Sequence, residues 1–216
     1  MNEQEMTAAD IKSVLKVTAV QMQEKHVKEV RDLDAEIGDG DLGITVQKGF
    51  RAVEEYLTNT DDTEISQILK QVGFEFSEAN PSTFSAFFAT AMRKAGVKVK
   101  DRESIGADDL VAMFETAVEG IMKLGKAQAG DKTLLDALIP AAEAVRKGAE
   151  RGDTIPQVIS SATSAAETGM KNTTQMVSKQ GRARSFGERT RGVQDPGATV
   201  VYWFLRELSE VVIRIS

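Results

Sequence analysis

Apolar residues recur along this chain at the spacing of one helical face. Ile11, Val14, Leu15, Thr18 and Met22 stand at offsets of 0, 3, 4, 7 and 11, which stacks them on one side of a helix. Leu110, Met113, Phe114, Ala117, Ile121 and Leu124 repeat the spacing. Val201, Phe204, Leu205, Leu208, Val212 and Ile215 do so again near the C-terminus. The alternation of a half-buried strand is almost missing. Val211 to Ile215, the most strand-like piece, continues the helical face before it and is assigned to that helix.

Start and stop signals cut the pattern into about eight helices. Thr154, Ile155, Pro156 and Gln157 form a capping box with a proline in the first turn. Asp195 before Pro196 supplies an N-cap and a proline at the first helical position. Gly96 is expected to close one helix and Gly125 another. The predicted helices cover about 7–31, 45–58, 63–79, 82–95, 107–124, 133–150, 155–176 and 196–214. The expected fold is all-α: one domain over 1–216, an up-and-down bundle of eight helices packed antiparallel through short loops.

Composition narrows the function. Lys and Arg number 27 against 33 Asp and Glu, a net charge of −6, which argues against a nucleic-acid binder because phosphate neutralisation needs a basic surface. The absence of cysteine excludes disulfides, thiolate metal sites and a cysteine nucleophile. The single histidine, His26, lies among Gln23, Glu24, Lys25 and Lys28 and reads as a surface or boundary residue. No apolar run has the length of a signal peptide or a membrane span, so a soluble cytoplasmic protein is expected.

Three polar loops interrupt the helical pattern. The first, Leu33 to Gly43, holds Asp34, Asp39 and Asp41 among three glycines. Clustered carboxylates repel unless a positive charge sits between them, and oxygen ligands of this kind select hard divalent cations. An ordinary Asp/Gly turn fits the same residues. The second, Ala129-Gly130-Asp131-Lys132-Thr133-Leu134-Leu135-Asp136, reads as a glycine turn into a helix with Asp131 or Lys132 near the cap. It lacks the spacing of a Walker A loop. The third, Gln180 to Gly197, carries Arg182, Arg184, Arg189 and Arg191. Arginine suits bidentate phosphate contact, and the loop ends at a helix N-terminus, which also favours an anion. A solvated basic loop paired with surface carboxylates is the alternative. Together the loops suit a polyphosphate bridged by Mg²⁺, since phosphoryl transfer needs positioning and charge neutralisation more than covalent chemistry.

The three loops, in this order, resemble the nucleotide-binding L subunit of dihydroxyacetone kinases. The resemblance rests on Leu33-Asp34-Ala35-Glu36-Ile37-Gly38-Asp39-Gly40-Asp41, on Gly130-Asp131-Lys132-Thr133 with Leu135-Asp136-Ala137-Leu138, and on Gly181-Arg182-Ala183 with Gly187-Glu188-Arg189 and Gln194-Asp195-Pro196-Gly197-Ala198. It spans nearly the whole chain. It implies an eight-helix up-and-down barrel in which Asp34, Asp39 and Asp41 hold two Mg²⁺ ions against the phosphates of ADP or ATP. Leu42, Gly43, Ile44 and Thr45 would donate backbone N–H groups to those phosphates, and Arg182 would approach the phosphate end. Asp195, Pro196 and Gly197 would line the nucleotide site, with Gly125 and Leu134 in its wall.

The resemblance further implies partners. A K-type subunit would hold dihydroxyacetone, and a phosphohistidine carrier of a phosphotransferase system, the M-type subunit, would recharge the bound ADP. The loops of Asp39 and Arg182 would face such a partner, and a homodimer is also compatible. The chain departs from the family pattern twice. Leu42 stands where the family has His, and Phe84, in Asn80-Pro81-Ser82-Thr83-Phe84, stands where the family has Gly, with Ser82 or Thr83 in the place of the family serine. The expected function is a phosphoryl-transfer subunit of a dihydroxyacetone-type kinase. The alternatives are a non-catalytic nucleotide-binding or regulatory paralogue, a kinase subunit for another triose or tetrose, and a barrel carrying an apolar ligand.

Overall fold

The computed structural model describes residues 3–216. Helices α1 (Ala8–Gln21) and α2 (Val27–Ile37) form one rod, joined by a π-helical turn over Met22–His26. The other helices are α3 (Leu42–Asn59), α4 (Ile65–Ala79), α5 (Thr83–Lys98), α6 (Ala107–Gly125), α7 (Leu135–Arg151), α8 (Ile155–Asn172) and α9 (Pro196–Ile215). Each packs on the next in sequence from α3 to α9, and α1 packs on both α9 and α3. The rod and the seven later helices therefore close a ring of eight. This is the expected all-α barrel.

The ring closes because every member presents an apolar stripe inward. Val14, Phe50, Ile68, Val72, Phe76, Ile159 and Val212 are almost fully enclosed in one core. Aromatic rings thicken that core. Phe50 meets Phe76 edge-on at 5.0 Å and Phe204 stacked at 5.8 Å, while Phe76 lies 4.3 Å from Phe88. Edge-to-face and offset contacts at these spacings add to the burial of area. An apolar void of about 180 Å³ remains in the barrel, bounded by Phe84, Phe88, Phe114 and Phe204 among others.

Helix starts follow their sequence signals. The Thr154 N–H donates to Gln157 Oε1 at 2.9 Å, and Pro156 lies in the first turn of α8. Asp195 Oδ2 accepts from the Ala198 N–H at 2.7 Å, with Pro196 as the first residue of α9. The last stretch, Val211 to Ile215, is helical as expected.

Four expectations need correction. The first rod continues to Ile37 rather than ending near 31, because buried Val30 and Ile37 extend its inner face. Gly96 does not end α5. It lies inside it, where a Cβ would come 2.7 Å from the Ser66 carbonyl of α4, so its role is close helix approach. Among the described residues the near absence of strands has one exception: Met6–Thr7 pairs antiparallel with Ser104–Ile105 and ties the N-terminal segment to the α5–α6 connection.

The fourth correction is His26, which is buried. Its ring stacks on Trp203 at 4.1 Å, and its Nε2 lies 2.8 Å from Glu207 Oε1. The polar neighbours in sequence hid this, because the π-turn shifts the register and swings the ring towards α9. Lys25 also donates to Glu207, at 3.1 Å. Burial pushes the Glu207 carboxyl up, but the His26 and Lys25 bonds outweigh it and hold the group below the usual range.

Candidate functional site

Alternating chain direction brings the starts of α3, α5, α7 and α9 to one end of the barrel. Leu42, Thr83, Leu135 and Pro196 all line a single polar cleft there, about 870 Å³ in volume, within the size range of small-molecule sites. Each helix start carries partial positive charge, so four of them around one cleft favour an anion, although side chains already cap some of their N–H groups, above all at α9, where Asp195 takes the Ala198 N–H.

The acidic loop closes one side. Asp34, Asp39 and Asp41 all line the cleft. Asp34 Oδ2 accepts from the Leu42 N–H at 3.0 Å, which fixes the loop to the start of α3. Gly38 permits this fold, since a Cβ there would sit 2.4 Å from Asp34 Oδ1. Asp39 and Asp41 reach towards the arginine loop. Arg182 Nη1 contacts Asp39 Oδ2 and lies 3.7 Å from Asp41 Oδ2. Among the described residues no three acidic or histidine side chains are already gathered at metal-holding spacing. The guanidinium supplies the positive charge that two of these carboxylates require. The donor set itself, three oxygen-bearing side chains on the rim of an anion-favouring cleft, fits a hard divalent cation such as Mg²⁺.

Most residues singled out from sequence meet in this cleft. Leu42, Ile44 and Thr45, Ser82 and Thr83, Gly125, Leu134, Arg182, Asp195, Pro196 and Gly197 all line it. Gly43 does not. It is buried beneath, against Arg31 of α2. The Thr45 hydroxyl accepts from the Asn80 amide at 2.8 Å, joining α3 to the α4–α5 turn. Ser82 caps α5 through the Ser85 N–H at 3.1 Å. Phe84 and Phe87 bound both the cleft and the apolar void.

The Gly130–Thr133 turn is more than a helix start, and Leu134, not Asp131 or Lys132, takes the cap position of α7. Asp136 accepts from the Gly130 N–H at 2.6 Å and the Thr133 N–H at 2.8 Å. Asp131 is buried and accepts from the Gln128 N–H, Gln180 and Lys179; these bonds outweigh its burial and lower its pKa. Lys132 is 1% exposed. Its ammonium donates to the carbonyls of Met176 at 3.3 Å, Thr190, and Val193 at 2.7 Å. Burial lowers its pKa, with nearby Asp195 opposing. Asp195 is itself pushed up to about 7 by burial; the Ala198 N–H bond and Lys132 oppose this, while the charge of Asp136 adds to it. Lys132 and Asp136 were visible as residues of the second motif, but a lysine's burial has no local signal.

The DAK2 domain family model matches residues 36–210. The chain is 35% identical over 177 residues to the PEP-dependent dihydroxyacetone kinase, ADP-binding subunit DhaL, of Escherichia coli, covering 82% of this chain and 84% of that protein. It is 30% identical over 189 residues to the L-erythrulose kinase of Pectobacterium atrosepticum, covering 87% of this chain and 32% of that one. The dihydroxyacetone kinase of C. freundii in complex with AMP-PNP and Mg²⁺ has a similar fold, with a TM-score of 0.75 at 21% identity, over 96% of this chain and 34% of that one. This chain thus spans about a third of those two longer proteins. With a family model covering well over half of its length and the full barrel in place, the chain belongs to the DAK2 domain family.

Proposed function

We propose that the chain is a single nucleotide-binding domain that serves as the phosphoryl-transfer subunit of a dihydroxyacetone-type kinase. It would bind ADP or ATP with Mg²⁺ and pass the phosphoryl group to a small ketose on a separate K-type subunit. One observation carries the reading. Four helix starts, three aspartates and Arg182 share one cleft, a combination suited to a metal-bridged polyphosphate. The names of the E. coli and P. atrosepticum relatives support kinase chemistry on a ketose of three or four carbons. The PEP-dependent relative favours recharging by a phosphohistidine carrier over exchange of ATP.

The residues divide the work. Asp34, Asp39 and Asp41 would hold the metal, two ions by family resemblance. When bound there, Mg²⁺ would neutralise phosphate charge. The start of α3 would orient the phosphates through main-chain N–H groups, while Asp195, Pro196 and Gly197 at the start of α9 would line the nucleotide site. Arg182 turns from Asp39 and Asp41 to the terminal phosphate, where a guanidinium stabilises charge developing in transfer. Leu134, Gly125 and Phe87 give the base an apolar wall. The open rim at Asp39 and Arg182 is where the subunit holding the ketose would dock. No described helix is long and apolar enough to cross a membrane, and a cytoplasmic setting fits the assignment.

Titration calorimetry of the protein with ADP and Mg²⁺ tests the assignment. Binding should require the metal, and Asp39→Ala should abolish the metal-dependent part. Absence of any heat at millimolar nucleotide sinks the reading. A second reading, a nucleotide-binding regulator without turnover, draws on Leu42 and Phe84 at the family's His and Gly positions. Nucleotide binding with no transfer, despite a purified K-type subunit and a phosphorylated carrier, would favour it.

A further inference from the structure

Lys132 is the most enclosed charged side chain at the cleft, yet among the described residues no carboxylate forms an ion pair with its ammonium. At 1% exposure its three N–H donors are used on three main-chain carbonyls, those of Met176, Thr190 and Val193. An ammonium has three donors and no acceptor, so the set is complete. All three acceptors belong to the segment between α8 and α9, two of them on the far side of Arg182. Lys132 itself has φ of +60°, a strained region for a lysine. That strain persists only where surrounding contacts hold it.

The neighbouring turn adds to the same grip. The Lys179 N–H donates to the Asp131 carbonyl at 3.1 Å, and Lys179 Nζ to the Gly130 carbonyl at 3.0 Å. Thr190 Oγ1 accepts from the Ser178 N–H at 2.9 Å and donates to the Gly187 carbonyl at 2.8 Å. The arginine loop thus closes on itself at Thr190, and Lys132 bonds that closure from below. Arg182 is exposed; its carbonyl accepts from the Ser185 hydroxyl at 2.9 Å, a bond inside the same loop, so what ties that loop to the rest of the barrel from below is the grip on its base.

We propose that Lys132 is a positioning residue: its ammonium staples residues 176–193 to the start of α7 and thereby sets Arg182 over the acidic loop. This deepens the nucleotide-site reading and rests on it for its effect on binding. Lys132 lies at the wall of the cleft, and its role is to hold the loop rather than the ligand. Its burial leaves nothing to offer a ligand, because every donor is already spent on the loop.

The test compares Lys132→Met with the parent by hydrogen exchange and Mg²⁺-ADP titration. Exchange across 176–193 should rise about tenfold or more, with α3 to α6 unchanged, and affinity should fall about tenfold. The double variant with Arg182→Gln should bind no worse than the weaker single variant, because both changes remove one function. Rescue is available because the chain has no cysteine. Lys132→Cys, alkylated in denaturant with 2-bromoethylamine and refolded, regains an ammonium as the thiolate sulfur displaces bromide. It should recover loop protection and affinity, whereas alkylation with bromoethane should not. Unchanged loop exchange in Lys132→Met, or multiplying losses in the double variant, overturns the proposal. Should Lys132→Met not fold, Lys132→Gln replaces it, with raised loop exchange expected and parental exchange overturning. A parent protein that binds no nucleotide defeats the functional assignment alone; the exchange comparison still decides what Lys132 holds.

Discussion

Asp195 shows how one side chain can carry opposed demands. Its carboxyl caps α9 through the Ala198 N–H, a bond that favours the charged form. Burial disfavours that form more strongly and raises the pKa from 3.8 to about 7. The folded chain therefore holds a proton that the unfolded chain has released. Stability from this group is complete below about pH 4 and is lost as pH rises through about 7. Thermal unfolding between pH 5 and 8 should show the parent losing stability that Asp195→Asn keeps. Equal slopes in the two proteins would show the group ionised throughout. The helix start at Asp195-Pro196 was legible in the sequence, because capping is local. The proton was not, because Lys132 and Asp136, which share its surroundings, come from another turn.

Among the elements, the π-turn between α1 and α2 has the largest consequence. It carries Lys25 and His26 to Glu207 of α9, linking the rod to the last helix where the ring closes. The pKa of Glu207 is lowered, so its contribution is present above about pH 4.5 and is lost as pH falls below that value. Glu207→Gln should cost about 1–3 kcal/mol, the range for leaving a buried bonded group poorly satisfied. A urea midpoint at neutral pH, with unchanged m, measures it. The difference between parent and variant should shrink towards pH 3. Helical periodicity found α1 and α9 readily, but a one-residue register shift inside a rod leaves no mark in an apolar pattern.

At the scale of the molecule, the barrel places chemistry at one end and apolar space in the middle. Phe84 stands between them, bordering the cleft and the void. Phe84→Ala should join the two spaces. A half-buried ring makes fewer contacts than a core one, so the expected loss is about 2–3 kcal/mol, below the full core range of about 3–5 kcal/mol. Denaturant unfolding gives that loss, and stronger binding of an environment-sensitive apolar dye would report the opening. An unchanged dye signal with the same loss of stability would mean that neighbouring rings close the gap.

The helices, most of their starts and the three loops that bear charge are legible in the amino-acid order. Those features depend on 3.6-residue periodicity, capping and glycine turns, all of which act over a few residues. Through family resemblance the sequence also singled out a set of residues of which all but Gly43 line the cleft. Tertiary structure alone decided that Gly43 lies beneath the cleft and that Gly96 serves packing. It likewise placed Arg182 between Asp39 and Asp41 and buried His26 and Lys132. Each of these depends on which distant segment lies opposite, and closure of an eight-membered ring sets that, not the residues next door.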